Sequence, residues 1–161
     1  MIPEDLREHP AALALEAAEP SAVVGGALRT GQVVLDIAPE RIAQVCRALK
    51  NAGYRRLSGV TAVDRYPDEP RFEVVYLLHS LERNERLRLK CRLRGAAPEI
   101  DSVTGVWPGA NWYEREVFDL FGVVFRNHPE LRRIMLPDDW EGHPLRKDYP
   151  VSGYKYAYQD E

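Results

Sequence analysis

The sequence predicts an α+β fold: a small, mostly antiparallel sheet with helices on one side, continued by an extended C-terminal arm. Three observations lead there. Strand-like runs follow one another in hairpin order between Ala22 and Leu93, with a helix set apart from them, which suits an antiparallel sheet better than a doubly wound parallel one. A second well-punctuated helix occupies 111–122. Beyond Phe125, prolines at 129, 137, 144 and 150 interrupt regular structure, because proline lacks the N–H that a continuing helix needs. The 161 residues suit one domain, which buries about 70% of the surface its unfolded chain exposes and so needs no metal or disulfide to fold. We divide the chain into an α+β domain, 1–125, and an arm, 126–161.

In chain order, the Ala-, Leu- and Glu-rich run 4–18 has helical spacing and ends before Pro20, since the residue preceding proline avoids the α region. Segments 22–28 and 32–37 flank the turn-forming Arg29-Thr30-Gly31 and read as a β-hairpin. Its Gly25-Gly26 lacks the G-x-G-x-x-G spacing and the following helix of a nucleotide loop. Pro39 opens an amphipathic helix with Ile42, Val45, Cys46 and Leu49 on one stripe, stopped near Asn51 and Gly53. Strands are expected at 54–64, 71–80 and 87–93. The last alternates Leu87, Leu89, Cys91 and Leu93 with Arg88, Lys90, Arg92 and Arg94, giving one buried face and one basic, wet face.

Composition excludes several functions. A formal net charge of −3 provides no basic field for nucleic acid, and Arg55/Arg56 and Arg132/Arg133 are only local clusters. Cys46 and Cys91 stand far apart, outside any C-x-x-C spacing; they fit a reducing compartment and cannot alone ligate an iron–sulfur cluster. The N-terminus lacks the basic and apolar regions of an export signal, so a cytoplasmic protein is expected. No stretch reaches the roughly 18 apolar residues of a membrane span, so membrane association would come through partners. His9, His79, His128 and His143 form no H-E-x-x-H pair, and there is no G-x-S-x-G elbow.

In the second helix, Asn111 is placed to cap the first turn and Glu114 to return the bond as a capping box, with Gly122 in the left-handed position beyond the end. Tyr113, Val117, Phe118, Leu120 and Phe121 form an apolar arc; Trp112, Arg115, Glu116 and Asp119 fall opposite it. Arg115 and Asp119 read most simply as an i,i+4 surface pair. Trp112 does not fit a polar surface, and a covering partner chain would account for it. Glu114 projects between Phe118 and Phe121 and calls for a cationic partner, an arginine of the arm or of a neighbour.

The arm is too apolar for disorder, with Leu131, Ile134, Met135, Leu136, Trp140, Leu145 and Tyr149 in it. Interleaved with arginines, these residues suggest a clasp on another protein, anchored by Trp140, with wrapping onto its own domain as the alternative. Asp138, Asp139, Glu141 and His143 suggest a metal-dependent hydrolase, but acids so close in a loop are more often turn formers.

Glu114-Arg115-Glu116-Val117-Phe118-Asp119-Leu120-Phe121-Gly122 resembles the motif E-R-E-x-[aromatic]-D-[Leu/Met]-[aromatic/Leu]-G of the C-type subunits of NADH:quinone oxidoreductase, the complex I 30 kDa subunit family. His128-Pro129, Leu131-Arg132-Arg133 and the run from Pro137-Asp138-Asp139-Trp140 through Gly142-His143-Pro144-Leu145-Arg146-Lys147-Asp148-Tyr149-Pro150 resemble its second block. The resemblance implies a non-catalytic structural subunit of the peripheral arm, on the cytoplasmic face of the cell membrane. Its own C-terminal arm would lie on the neighbouring D-type subunit, among other peripheral-arm subunits, supporting electron transfer from NADH to quinone coupled to proton translocation. It implies no cofactor in this chain; FMN, iron–sulfur clusters and quinone belong to the assembled complex. Related scaffolds of membrane-bound hydrogenases and ferredoxin-driven complexes are the alternative. The expected partner contacts are Trp112, Glu114, Arg115, Glu116, Asp119, Arg132, Arg133, Trp140, Arg146 and Tyr149.

Overall fold

A computed structural model describes residues 2–153. Residues 154–161, the end of the expected arm, lie outside the described part. A five-stranded sheet runs in the order β1-β2-β5-β4-β3, built from β1 (Val23–Arg29), β2 (Gln32–Ile37), β3 (Arg56–Asp64), β4 (Phe72–Ser80) and β5 (Glu85–Leu93). Three of its four pairings are antiparallel, and β2 with β5 is parallel. The expected α+β sheet is therefore present, with its one parallel seam where the chain crosses through a helix.

The hairpin forms where the Thr-Gly turn predicts it, with φ of 48° at Thr30 and 77° at Gly31, the positive values that a tight two-residue turn requires. Helix α2 (Ile42–Asn51) buries Ile42, Val45, Cys46 and Leu49, after a single 3₁₀ turn at Pro39–Arg41. Helix α1 is Pro10–Ala18, shorter than the expected 4–18, because Pro10 has no N–H to join a preceding helix. Instead Pro10 occupies the first turn, and His9 Nδ1 accepts from Ala11 N at 3.2 Å. The helices share one core with the inward faces of the strands: Val33, Leu35 and Ile37; Phe72, Val74, Tyr76 and Leu78; Leu87, Leu89, Cys91 and Leu93. Each such side chain contributes about 1.5–3 kcal/mol by leaving water.

The other face of the sheet is polar but not simply wet. Glu73 is 2% exposed there and contacts Arg65, Lys90 and Arg92. Val34 and Val75 are buried on that face beneath the basic side chains, whose aliphatic stems suit such cover.

After β5 the chain adds β6 (Glu99–Asp101), helix α3 (Ala110–Phe121) and β7 (Val124–Arg126), with β6 and β7 pairing in parallel. The helix begins before the expected cap. Ala110 N donates to Trp107 O and Asn111 N to Pro108 O, so backbone turns serve the first N–H groups, and no side chain caps the helix. Glu114 is consequently not a capping-box residue.

Beyond β7 no helix or strand forms through residue 153, in keeping with the prolines. The arm does not project from the domain, however. Its described part folds back over the polar face of α3 and reaches β3 and β4, because its own backbone and arginines find their partners there.

Candidate partner interface

Helix α3 is the floor on which the arm is laid. Asp119 is fully buried, and its Oδ2 accepts three consecutive backbone N–H groups, from Ile134 (3.0 Å), Met135 (2.7 Å) and Leu136 (2.9 Å). Its Oδ1 meets Arg133 Nη1 at 2.6 Å. Burial pushes this carboxyl up, but the guanidinium and the three N–H groups outweigh it and hold Asp119 below the usual carboxylate range. Arg133 then ties a second stretch of arm to the first, donating from Nη2 to Trp140 O (2.9 Å) and Gly142 O (3.0 Å). Arg115, 6% exposed, donates to the carbonyls of Arg132 and Arg133, both at 3.2 Å. Arg115 and Asp119 are therefore not a surface pair. Each is engaged with the arm, a turn apart on one helix face.

The arm also terminates the helix. An α-helix leaves its last carbonyls without internal donors, and here three of them have one. Asp119 O accepts from Arg133 Nη1 (3.2 Å) and lies 2.9 Å from His143 Nδ1; Leu120 O accepts from Leu145 N (3.0 Å), and Phe121 O from Arg146 Nε (2.6 Å). Arg146 also reaches Ala96 O at 3.1 Å and lies over the Phe72 ring. Its positive charge sits at the negative end of the helix. Gly122, with φ of 74°, is the left-handed cap, and a Cβ there would lie 2.5 Å from the His143 ring and 2.6 Å from Arg146 Nη2.

Further along, Lys147 and Asp148 of the arm are clamped to the sheet. Arg71 pairs with buried Asp64 (2.9 and 2.8 Å) and with Asp148 of the arm (2.6 and 3.2 Å), while Lys147 N donates to Asp64 Oδ2 at 2.8 Å. The hydrogen bonds from Arg71 hold Asp64 well below the ordinary carboxylate range. This clamp joins positions 64, 71 and 148, which no local motif connects.

Of the two expected sources of a cation for Glu114, the described part of the chain's own arm does not supply an arginine. Glu114 is fully buried, but no arginine among the described residues meets it. Oε2 accepts from Ser102 Oγ (2.6 Å) and Oε1 from Val103 N (2.7 Å), and His128 Nε2 stands 3.9 Å away. Burial pushes its pKa up to about 7, further than the two hydrogen bonds pull it down. Burial likewise lowers the pKa of His128, against its bond to Asn111 O, so the imidazole is a neutral neighbour at pH 7.

The other expected contacts lie further out. Trp112 is 62% exposed, with the Arg115 guanidinium 5.2 Å from its ring centre; Glu116 is exposed, and exposed Arg132 pairs with Glu130. Met135 and Leu145 are 62% and 50% exposed. Trp140 is half-buried, and its shielded indole N–H has no acceptor among the described residues. Tyr149 donates through its hydroxyl to Glu141 O (3.2 Å). Asp138, Asp139 and Glu141 are exposed, whereas His143 turns to α3, so the four do not converge. Among the described residues no helix is long and apolar enough to cross a membrane.

Residues 35–155 match the family model described as respiratory-chain NADH dehydrogenase, 30 kDa subunit. The C-type subunit of the NADH-quinone oxidoreductase of Geobacter sulfurreducens is 53% identical over 125 residues, covering 76% of this chain and 77% of that protein. Its counterpart in Roseiflexus castenholzii is 44% identical over 155 residues, covering 94% and 89%. Among solved structures, the trypsin-resistant fragment of Nqo5 is similar with a TM-score of 0.65 and 31% identity, over 76% of this chain and 99% of the fragment. A chain of the archaeal membrane-bound sulfane sulfur reductase, a respiratory membrane complex, gives a TM-score of 0.75 at 27% identity, over 92% and 91%. With the two motifs brought together in one helix-and-arm unit, these matches place the chain in the respiratory-chain NADH dehydrogenase 30 kDa subunit family, as a peripheral subunit of complex I.

Proposed function

We propose that this chain is a structural subunit without an active site of its own, holding a D-type subunit and other peripheral-arm subunits in place on the cytoplasmic face of the membrane. Electrons from NADH would pass through FMN and iron–sulfur clusters in other chains to quinone, coupled to proton translocation, and this chain's contribution would be geometric. The observation that carries the reading is what the helix-and-arm unit leaves over. Arg115, Asp119, Arg133, Arg146 and the helix-end carbonyls are engaged internally, while Trp112, Met135 and Leu145 stand 50–62% exposed. Aromatic and methionine side chains held on a rigid support are the usual anchors of an interface. The Trp140 indole N–H without an acceptor supports the same reading, since a shielded Trp donor ordinarily has one. A scaffold of a hydrogenase or ferredoxin-driven complex is not favoured, because the relatives at 44–53% identity are NADH-quinone oxidoreductase subunits.

The test is affinity purification of the tagged chain from membranes dissolved in mild detergent. Co-purification of a multi-subunit assembly that contains a D-type subunit and oxidises NADH with a quinone is expected; recovery of a lone soluble monomer would overturn the reading.

A further inference from the structure

We infer that the outer face of the sheet, opposite the helices, is a second docking site, which takes a carboxylate side chain from an acidic segment of a neighbouring protein in the complex. The inference rests on the reading above that the chain works inside a multi-subunit assembly. A cavity of about 350 Å³ lies there, lined by Gly26, Ala27 and Arg29 of β1, Val34 and Asp36 of β2, Lys90 and Arg92 of the adjoining β5, Glu73 of β4, and Arg65 just past β3. Four cations less two carboxylates give this wall a charge of +2, in a chain whose formal net charge is −3. The local field is thus the reverse of the molecule's.

The internal bonds do not use up this charge. Glu73, buried, takes Lys90 Nζ at 3.2 Å, Arg65 Nη2 at 3.1 Å and Arg92 Nε at 2.8 Å, which fills its two oxygens. Arg92 makes its ion pair among the described residues with Glu73 alone, and the Arg29 guanidinium has no hydrogen bond or ion pair among them. Asp36 lies opposite Lys90 in the β2–β5 register. The result is a rim of guanidinium groups around a saturated carboxylate, and a guanidinium fork matches a second carboxylate in two parallel bonds.

The chemistry of the wall selects the occupant. The helices pack on the opposite side of the sheet, so among the described residues no helix N-terminus presents backbone N–H groups to this cavity, as phosphate sites commonly do. Asp36 and Glu73 in the wall also oppose a multiply charged polyphosphate, whereas one carboxylate reduces the surplus of +2 to +1 and a second in the same acidic segment would cancel it. The volume admits an aspartate or glutamate side chain together with adjoining backbone. Such a contact would fix the chain from the face that the helix-and-arm unit does not reach.

The experiment places a photo-crosslinking amino acid at Ala27, in the cavity lining, and separately makes Arg29→Glu, each in the full chain within the native complex. The expected result is a crosslink from position 27 to a partner peptide carrying Asp or Glu within a few residues, together with about ten-fold lower recovery of complex for Arg29→Glu. Because Arg29 is exposed and its side chain is unbonded among the described residues, the melting temperature of the isolated variant should not move. A crosslink only to lipid or to a peptide without acidic residues, or wild-type recovery of Arg29→Glu, would overturn this inference while leaving the scaffold reading intact. A chain that never enters a complex would overturn both.

Discussion

Two carboxylates on one helix, Glu114 and Asp119, are both fully buried and titrate in opposite directions. Glu114 ionises near 4.5 in an unfolded chain and near 7 when folded. The folded state therefore holds a proton that the unfolded state has released. The stability this gives is fully present below pH 4.5 and is lost as pH rises through 7, by about 3 kcal/mol in all. Glu114→Gln keeps an oxygen for Val103 N and can donate to Ser102 Oγ, yet it never ionises. Thermal melts at pH 5 and pH 8.5 should show the variant close to wild type at the lower pH and about 1–3 kcal/mol more stable at the higher. An equal difference at both would remove the buried-proton account. For Asp119 the sign reverses: its contribution is complete above the usual carboxylate range and falls away as acid reprotonates it. Asp119→Asn leaves Arg133 without its anion and is expected to cost about 3–5 kcal/mol. Limited trypsin digestion should then cut after Arg132 or Arg133 well before the wild type is cut.

At the scale of the element, α3 and the arm form one unit, since the arm supplies the donors that the helix end lacks. Gly122→Ala should unfasten it. An alanine there must hold a φ of 74° and place its Cβ 2.5 Å from the His143 ring, so a loss of about 2 kcal/mol or more is expected, read as a lower melting temperature and faster hydrogen exchange at Leu145 N. What is legible in the sequence here follows period and punctuation. The stripe of α2, the Thr30-Gly31 turn, the alternation of β5 and the glycine after α3 each encode their geometry locally. The failures share a cause too. Asn111 has the chemistry of a cap, but backbone turns at Trp107 and Pro108 start the helix a residue earlier and leave Asn111 inside it. Strands β6 and β7 are three residues each and pair across more than twenty positions, too short to show a period.

The whole molecule presents two faces with different chemistry: the apolar residues of the helix-and-arm unit, and the basic cavity behind the sheet. The arm's apolar, arginine-rich character is visible in the sequence; its destination is not. Arg115, Asp119, Arg133 and Arg146 would serve equally well against a foreign surface, and only the tertiary fold turns them onto this one. Trp112 stays outward, as its place opposite the apolar arc suggests. The most direct test of the scaffold account is Trp112→Ala, measured twice: the melting temperature of the isolated chain and the yield of assembled complex from membranes. A side chain 62% exposed should cost the isolated chain less than about 1 kcal/mol, while loss of an interface anchor should lower the yield about ten-fold or more. A variant that assembles at wild-type yield, or whose melting temperature falls as steeply as its yield, would contradict the account.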